Sequence, residues 1–270
     1  MKIIPLKRLT TSLILLNLMF PLASFTNSLN VVPHKIQTIV IDAGHGGHDG
    51  STQGKYSKEK DVALRIALLV GKTLEENLKD VKVIYTRKSD VFVPLYERID
   101  VANKANADLF ISIHCNSMPS TLKNRSSVRG VETLVAGFGR LGEQDVALRE
   151  NASILLEKEN AKDNYAGFDP KDPASVIMFS MMKNTFREQS IRLATLIQDE
   201  YVSTGRIDRG VKEQPLAVLQ RAAMPAVLTE IGFISSPEEE DYLNSEAGQN
   251  EIANCLLKAV QAYKRIIEIE

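Results

Sequence analysis

From Thr38 onward the chain alternates short apolar runs with longer stretches in which apolar residues recur at a helical period. Ile39-Val-Ile-Asp-Ala43 stops abruptly in the turn Gly44-His-Gly-Gly-His-Asp-Gly50, which predicts a buried strand delivering His45 to the end of a sheet. Glu59 to Leu78 places Val62, Ile66, Leu69, Val70 and Leu74 on one face, predicting a helix. Val81 to Thr86 predicts the next strand and Leu95 to Ala105 a helix. Asp108 to His114 and Val131 to Ala136 predict two more strands, Pro225 to Glu230 another, and Asn250 to Ile267 a closing amphipathic helix. This order predicts a single-domain α/β fold, an open and mostly parallel twisted sheet with helices on both faces. Ligands of such sheets sit at the carboxyl ends of the strands, and three predicted strands end in chemistry: His45, His114 and Glu230.

One segment breaks the alternation. From Gly137 to about Thr185, two turn-rich patches flank a charged helix predicted over Val146 to Asn160. It reads as an inserted helical segment over one end of the sheet, either a lid near the site or a peripheral decoration.

The first residues have another character. Lys2, Lys7 and Arg8 precede an apolar stretch from Leu13 to Ala23, and small polar residues follow to Ser28. That is the pattern of a secretory signal peptide over 1–28, cleaved between Ala23 and Ser28, with a retained membrane anchor as the alternative, a short linker over 29–37 and the folded domain over 38–270. The expectation is an exported protein of the periplasm or cell envelope, or one released from the cell, with no membrane association after cleavage. A net charge of -1 gives no support for a nucleic-acid partner. Two cysteines, Cys115 and Cys255, do not make a disulfide framework in a chain of this size; Cys115 follows His114 in a strand and is expected on the opposite, core-facing side.

Val40-Ile-Asp-Ala-Gly-His-Gly-Gly47, Glu59 at a helix start, Ile113-His-Cys-Asn116 and Pro225-Ala-Val-Leu-Thr-Glu-Ile-Gly-Phe-Ile-Ser235 together resemble the zinc-dependent N-acetylmuramoyl-L-alanine amidases that cleave bacterial peptidoglycan. The resemblance runs in order from Thr38 to the C terminus. It implies one zinc ion held by His45, Glu59 and His114, with Glu230 as the catalytic glutamate. It also implies peptidoglycan as substrate, with roles in cell-wall remodelling or daughter-cell separation. Asp49-Gly50 stands where relatives often carry Asp-Pro, and His48 is not expected to be a ligand.

The residue types suit that role. Two neutral imidazoles and a carboxylate leave a tetrahedral zinc one open position, the arrangement of catalytic sites. A further carboxylate can take and return the proton in amide hydrolysis. The wide spacing of these residues does not by itself demand a metal: the glycine-rich turn is compatible with an incidental histidine, Glu59 with a solvated first helical turn, and Glu230 with a structural carboxylate paired to an arginine. A zinc peptidase acting on the stem peptide and a non-catalytic cell-wall binding module are the alternatives. Asp42 and Asn116 are expected to orient His45 and His114, and Arg87 and Arg98 to pair with acids near the site, with substrate or at the surface.

Some amidases of this family carry an insertion whose acidic residue fills the open zinc position until an activator protein displaces it. The insertion here is similarly placed. Glu150 is the first candidate for a blocking carboxylate and Glu157 the second.

Overall fold

The computed structural model describes residues 34–139, 144–157, 164–165, 168–169, 172–180 and 185–269. The expected signal peptide, most of the linker and parts of the insertion lie outside them.

Six strands form one sheet: β1 Thr38–Ala43, β2 Lys82–Tyr85, β3 Leu109–Asn116, β4 Val131–Ala136, β5 Asp208–Gln214 and β6 Ala226–Phe233. Their order is β2-β1-β3-β6-β4-β5. Pairings are parallel except β4 with β6, so the carboxyl ends of β1, β3 and β6 lie together and the start of β4 joins them. The open, mostly parallel sheet expected from the alternating pattern is what forms.

The helices are α1 Glu59–Asn77, α2 Leu95–Lys104, α3 Asp145–Asn151, α4 Pro173–Ser180, α5 Arg187–Ser203, α6 Ala217–Gln220, α7 Pro237–Asn244 and α8 Glu246–Ile267. The strand pleat sends alternate side chains to opposite layers. Ile39, Ile41, Ile111, Ile113 and Cys115 face a core built with α1, α5 and α8. Val40, Phe110, Leu134 and Leu228 face a second core with α2, α3 and α6. Cys115 and Cys255 are buried free thiols, Cys115 on the face opposite His114 as its strand position requires.

Three departures from the pattern-based expectation have local causes. The charged helix of the insertion is α-helical only to Asn151 and continues as a 3₁₀ turn over Ala152–Leu156. Helix α5 falls outside the elements the pattern predicts, although Leu193, Ala194, Ile197 and Tyr201 bury one face at helical spacing. Strand β5 reads Asp-Arg-Gly-Val-Lys-Glu-Gln, with one apolar residue in seven, because it is an edge strand paired only to β4.

Candidate metal centre

The site is built where β1 ends. His45 has φ 57°, followed by Gly46 at φ 126° and Gly47 at φ 60°. A non-glycine residue in the left-handed region costs free energy and persists only where its surroundings over-determine it. Two buried arginines supply that determination. Arg98 donates to the carbonyls of Ala43 at 2.6 Å and His45 at 2.7 Å, and Arg87 to those of Ala43 at 2.9 Å and Gly44 at 2.7 Å. Both are nearly inaccessible, 1% and 3% exposed, so neither is a surface ion-pair residue.

His45, Glu59, His114 and Glu150 converge, all buried, each presenting one ligand-type atom within 4.8 Å of the others. His45 Nε2 lies 3.3 Å from Glu59 Oε1 and 2.9 Å from Glu150 Oε2, while His114 Nδ1 lies 3.2 Å and 2.9 Å from the same two oxygens. Each helper element has its reason. Gly44 leaves room for the His114 ring, whose atoms would sit 2.5–2.7 Å from a Cβ there. Glu59 opens α1 and has its second oxygen held by the hydroxyls of Ser51 at 2.5 Å and Thr52 at 2.8 Å, with the Cys115 amide donating to Oε1 at 2.9 Å.

The donor set fits a divalent metal. Despite their close approach, His45 Nε2 and Glu150 Oε2 are buried with no hydrogen bond of acceptable geometry. Buried polar atoms are rarely left so, and aiming several at one point is the signature of ligands. Two imidazoles and two carboxylates crowded in a buried site act strongly on one another. Burial disfavours charge on His45, but Glu59 and Glu150 outweigh it and hold the imidazole protonated well above its usual range. His114 is pushed up to about 9, with burial opposing and Glu150 and Glu59 prevailing. A cation shared among these groups would relieve the same field.

Glu230 on β6 pairs in register with His114 on β3 and is fully buried. Its Oε1 accepts from Arg149 at 3.0 Å, and its Oε2 has no hydrogen bond. Burial, aided by Glu150 and Glu59 and opposed by Arg149, raises its pKa to about 8.

The insertion closes over this group. Helix α3 lays the Glu150 carboxylate against both imidazoles, and Arg149 ties Glu150 Oε1 at 2.8 Å to Glu230. Ser153 donates to Asp49 Oδ2, the same atom that receives His45 Nδ1 at 2.9 Å. Glu157 is not at the site: its Oε1 accepts from the Leu95 amide at 3.0 Å and the Tyr165 hydroxyl at 2.6 Å. That position caps the start of α2 and removes Glu157 as a blocking residue.

Two other expected roles change. Asp42 does not touch His45; it accepts from Thr86, Ser112 and Arg98, and so fixes the arginine that grips the His45 carbonyl. Asn116 does not touch His114; its amide donates to Glu132 at 2.5 Å and its oxygen accepts from Arg149 at 3.1 Å. The partner of His45 is Asp49, four residues on within the same turn. Glu132, an acid inside the apolar run Val131-Glu-Thr-Leu-Val-Ala136, signalled a buried polar network by its mere presence in a strand.

A buried two-histidine, carboxylate-rich cluster at the strand ends of a doubly wound sheet, with a further carboxylate beside it that keeps one oxygen free of hydrogen bonds, defines a metallohydrolase type of site. The N-acetylmuramoyl-L-alanine amidase family model matches residues 39–262, and the chain belongs to that family. It is 33% identical over 229 residues to the N-acetylmuramoyl-L-alanine amidase AmiC of Escherichia coli O6:H1, covering 83% of this chain and 52% of AmiC. It is 31% identical to AmiA of Escherichia coli K12, covering 84% and 76%. The chain thus spans about half of AmiC and three quarters of AmiA. The crystal structure of an N-acetylmuramoyl-L-alanine amidase from Clostridium difficile 630 superposes with a TM-score of 0.61 at 28% identity, covering 85% of this chain and 97% of that one.

Proposed function

We propose that this chain is a zinc-dependent N-acetylmuramoyl-L-alanine amidase, which hydrolyses the amide between the lactyl group of N-acetylmuramic acid and the first L-alanine of the peptidoglycan stem peptide. The observation that carries the reading is the buried convergence of His45, Glu59 and His114 beside Glu230. The family supplies the substrate.

His45, Glu59 and His114 would hold the ion, with Asp49 fixing His45 through Nδ1 and Ser51 and Thr52 fixing Glu59. Zinc supplies Lewis-acid polarisation of the substrate carbonyl and acidifies water. Glu230 takes the proton of the attacking water and returns it to the departing L-alanine amine.

Glu150 occupies the position substrate or water needs, and Arg149 engages Glu230, so the enzyme rests in a self-blocked form. An activator protein that draws the insertion away would open it. Peptidoglycan lies outside the cytoplasmic membrane, where the signal-like segment at 1–28 would direct the chain. Among the described residues no helix is long and apolar enough to cross a membrane.

The test is mass spectrometry of products from purified peptidoglycan, with bound metal quantified in parallel. Stem peptides beginning with L-alanine, released by the wild type and lost in Glu230→Ala with one zinc per chain retained, are expected. Shortened stems with L-alanine left on the sugar would make the protein a peptidase. No product from a zinc-loaded chain lacking residues 137–185 would make it a binding module.

A further inference from the structure

Beside the metal centre lies a cavity of about 550 Å³ whose floor the site and the cavity share through Asn116 and Arg149. Its lining includes Arg125, Arg209 and Lys212 against only two acids, Glu132 and Asp145. The chain as a whole is slightly acidic, at -1, so this concentration of cations is local. Arg149 adds a fourth, already engaged by Glu150 and Glu230.

The placement of Arg209 and Lys212 depends on an irregularity in β5. Residues three apart on a regular strand face opposite sides of the sheet. Here the β4–β5 register shifts between Val131 and Thr133, and Gly210 adopts φ 83°. A Cβ on Gly210 would meet nothing within 4 Å, so glycine serves the backbone conformation and not a close approach. The extra residue turns both cations to one face, where Lys212 pairs with Glu132 and Arg209 Nε stands 3.9 Å from the same carboxylate. Bulges next to active sites commonly re-aim side chains in this way.

Glu132 by itself does not account for the set. Lys212 satisfies one of its oxygens and Asn116 the other. Arg209 is left with a long ion pair and with its Cζ 4.9 Å from the centre of the Phe233 ring, and it lines the cavity. Arg125 has its Nε on the Met118 carbonyl at 3.3 Å and lines the same cavity.

We infer that Arg209 and Arg125, with Lys212 behind them, form a carboxylate-recognition subsite that receives an acidic group of the stem peptide while the scissile amide lies at the metal centre. The inference rests on the amidase reading. A guanidinium edge suits a carboxylate because two parallel N–H donors match its two oxygens, and an amidated carboxyl offers only one acceptor and no charge.

The experiment compares wild type, Arg209→Ala and Arg125→Ala on two soluble muropeptides, one with free stem carboxylates and one with those carboxylates amidated. Arg209 is exposed on an edge strand, so its removal leaves the core intact. We expect wild type to prefer the acidic substrate, and Arg209→Ala to lose about 10-fold in kcat/KM on that substrate and little on the amidated one, the worth of one charge-assisted hydrogen bond. Equal losses on both, or no loss on either, would overturn the subsite. Calorimetric binding of the free acidic stem peptide, which needs no turnover, is run on the same proteins. If neither the wild type nor Glu150→Ala, which lacks the blocking carboxylate, cleaves either muropeptide the amidase reading falls, and the subsite then stands only if Arg209→Ala and Arg125→Ala weaken peptide binding about 10-fold.

Discussion

Gly44→Ala isolates the packing that brings the two histidines together. Gly44 is not in the left-handed region, so alanine is acceptable to its backbone. The cost comes from one neighbour. The new Cβ would lie 2.5, 2.6 and 2.7 Å from three atoms of the His114 ring, where ordinary contacts begin at 3.4 Å. The imidazole must therefore retreat by roughly 1 Å, against a tolerance of about 0.2 Å in metal–ligand distance. Gly44 itself is pinned, its amide to the Ile113 carbonyl at 3.0 Å and its carbonyl to Arg87 at 2.7 Å, so the ring and not the backbone yields. Disturbing the groups that orient a metal ligand costs about 10–100-fold in affinity, and displacing the ligand itself should reach or exceed the upper end. The assay is competition for zinc against a chelator of known affinity, with circular dichroism to verify the fold. Gly50→Ala is the internal control, since a Cβ there meets nothing within 4 Å. Zinc affinity within a factor of about 2 of wild type for folded Gly44→Ala would refute the packing account, because that lies far below the loss expected when a ligand is disturbed.

Glu150→Ala should raise basal stem-peptide release by about 10-fold or more, because it removes charge-assisted contacts worth about 1.5–3 kcal/mol from the closed state; peptidoglycan digestion without activator measures this, and a zinc-loaded variant no faster than wild type would reject self-blockage. Asp42→Asn should cost about 3–5 kcal/mol, since it strands Arg98 as a buried unpaired charge, read as a drop in denaturant midpoint. Burial acts to raise the Asp42 pKa, but Arg98, Ser112 and Thr86 overcome it and hold the carboxyl below 3.8. A depressed folded pKa gives stability that is present above the unfolded value and lost as pH falls through the folded one. Thermal melts from about pH 5 downward should therefore steepen less for Asp42→Asn than for wild type, and parallel curves would show that Asp42 does not carry this linkage.

Much of this protein was written in local pattern. Apolar runs such as Ile39–Ile41 and Leu109–Ile113 have few ways to satisfy both their backbone and their side chains other than as buried parallel strands, and the amphipathic period of Glu59–Asn77 selects a helix lying on them. Histidines and a glutamate at the ends of such strands then fall at one edge of the sheet whatever the loops do. What the tertiary structure alone decided is which polar group meets which. Asp42 serves Arg98 and not His45, Asn116 serves Glu132 and Arg149 and not His114, and Glu157 caps α2 while Glu150 reaches the imidazoles. These pairings join residues 16 to 105 positions apart in sequence, and they depend on strand register and on where the insertion lies. Strand β5 was invisible for the related reason that an edge strand buries little, so its bulge and the two cations it turns toward the cavity exist only once β4 is beside it. Periodicity is a property of a few neighbouring residues, whereas a site is a property of what the packed core brings together.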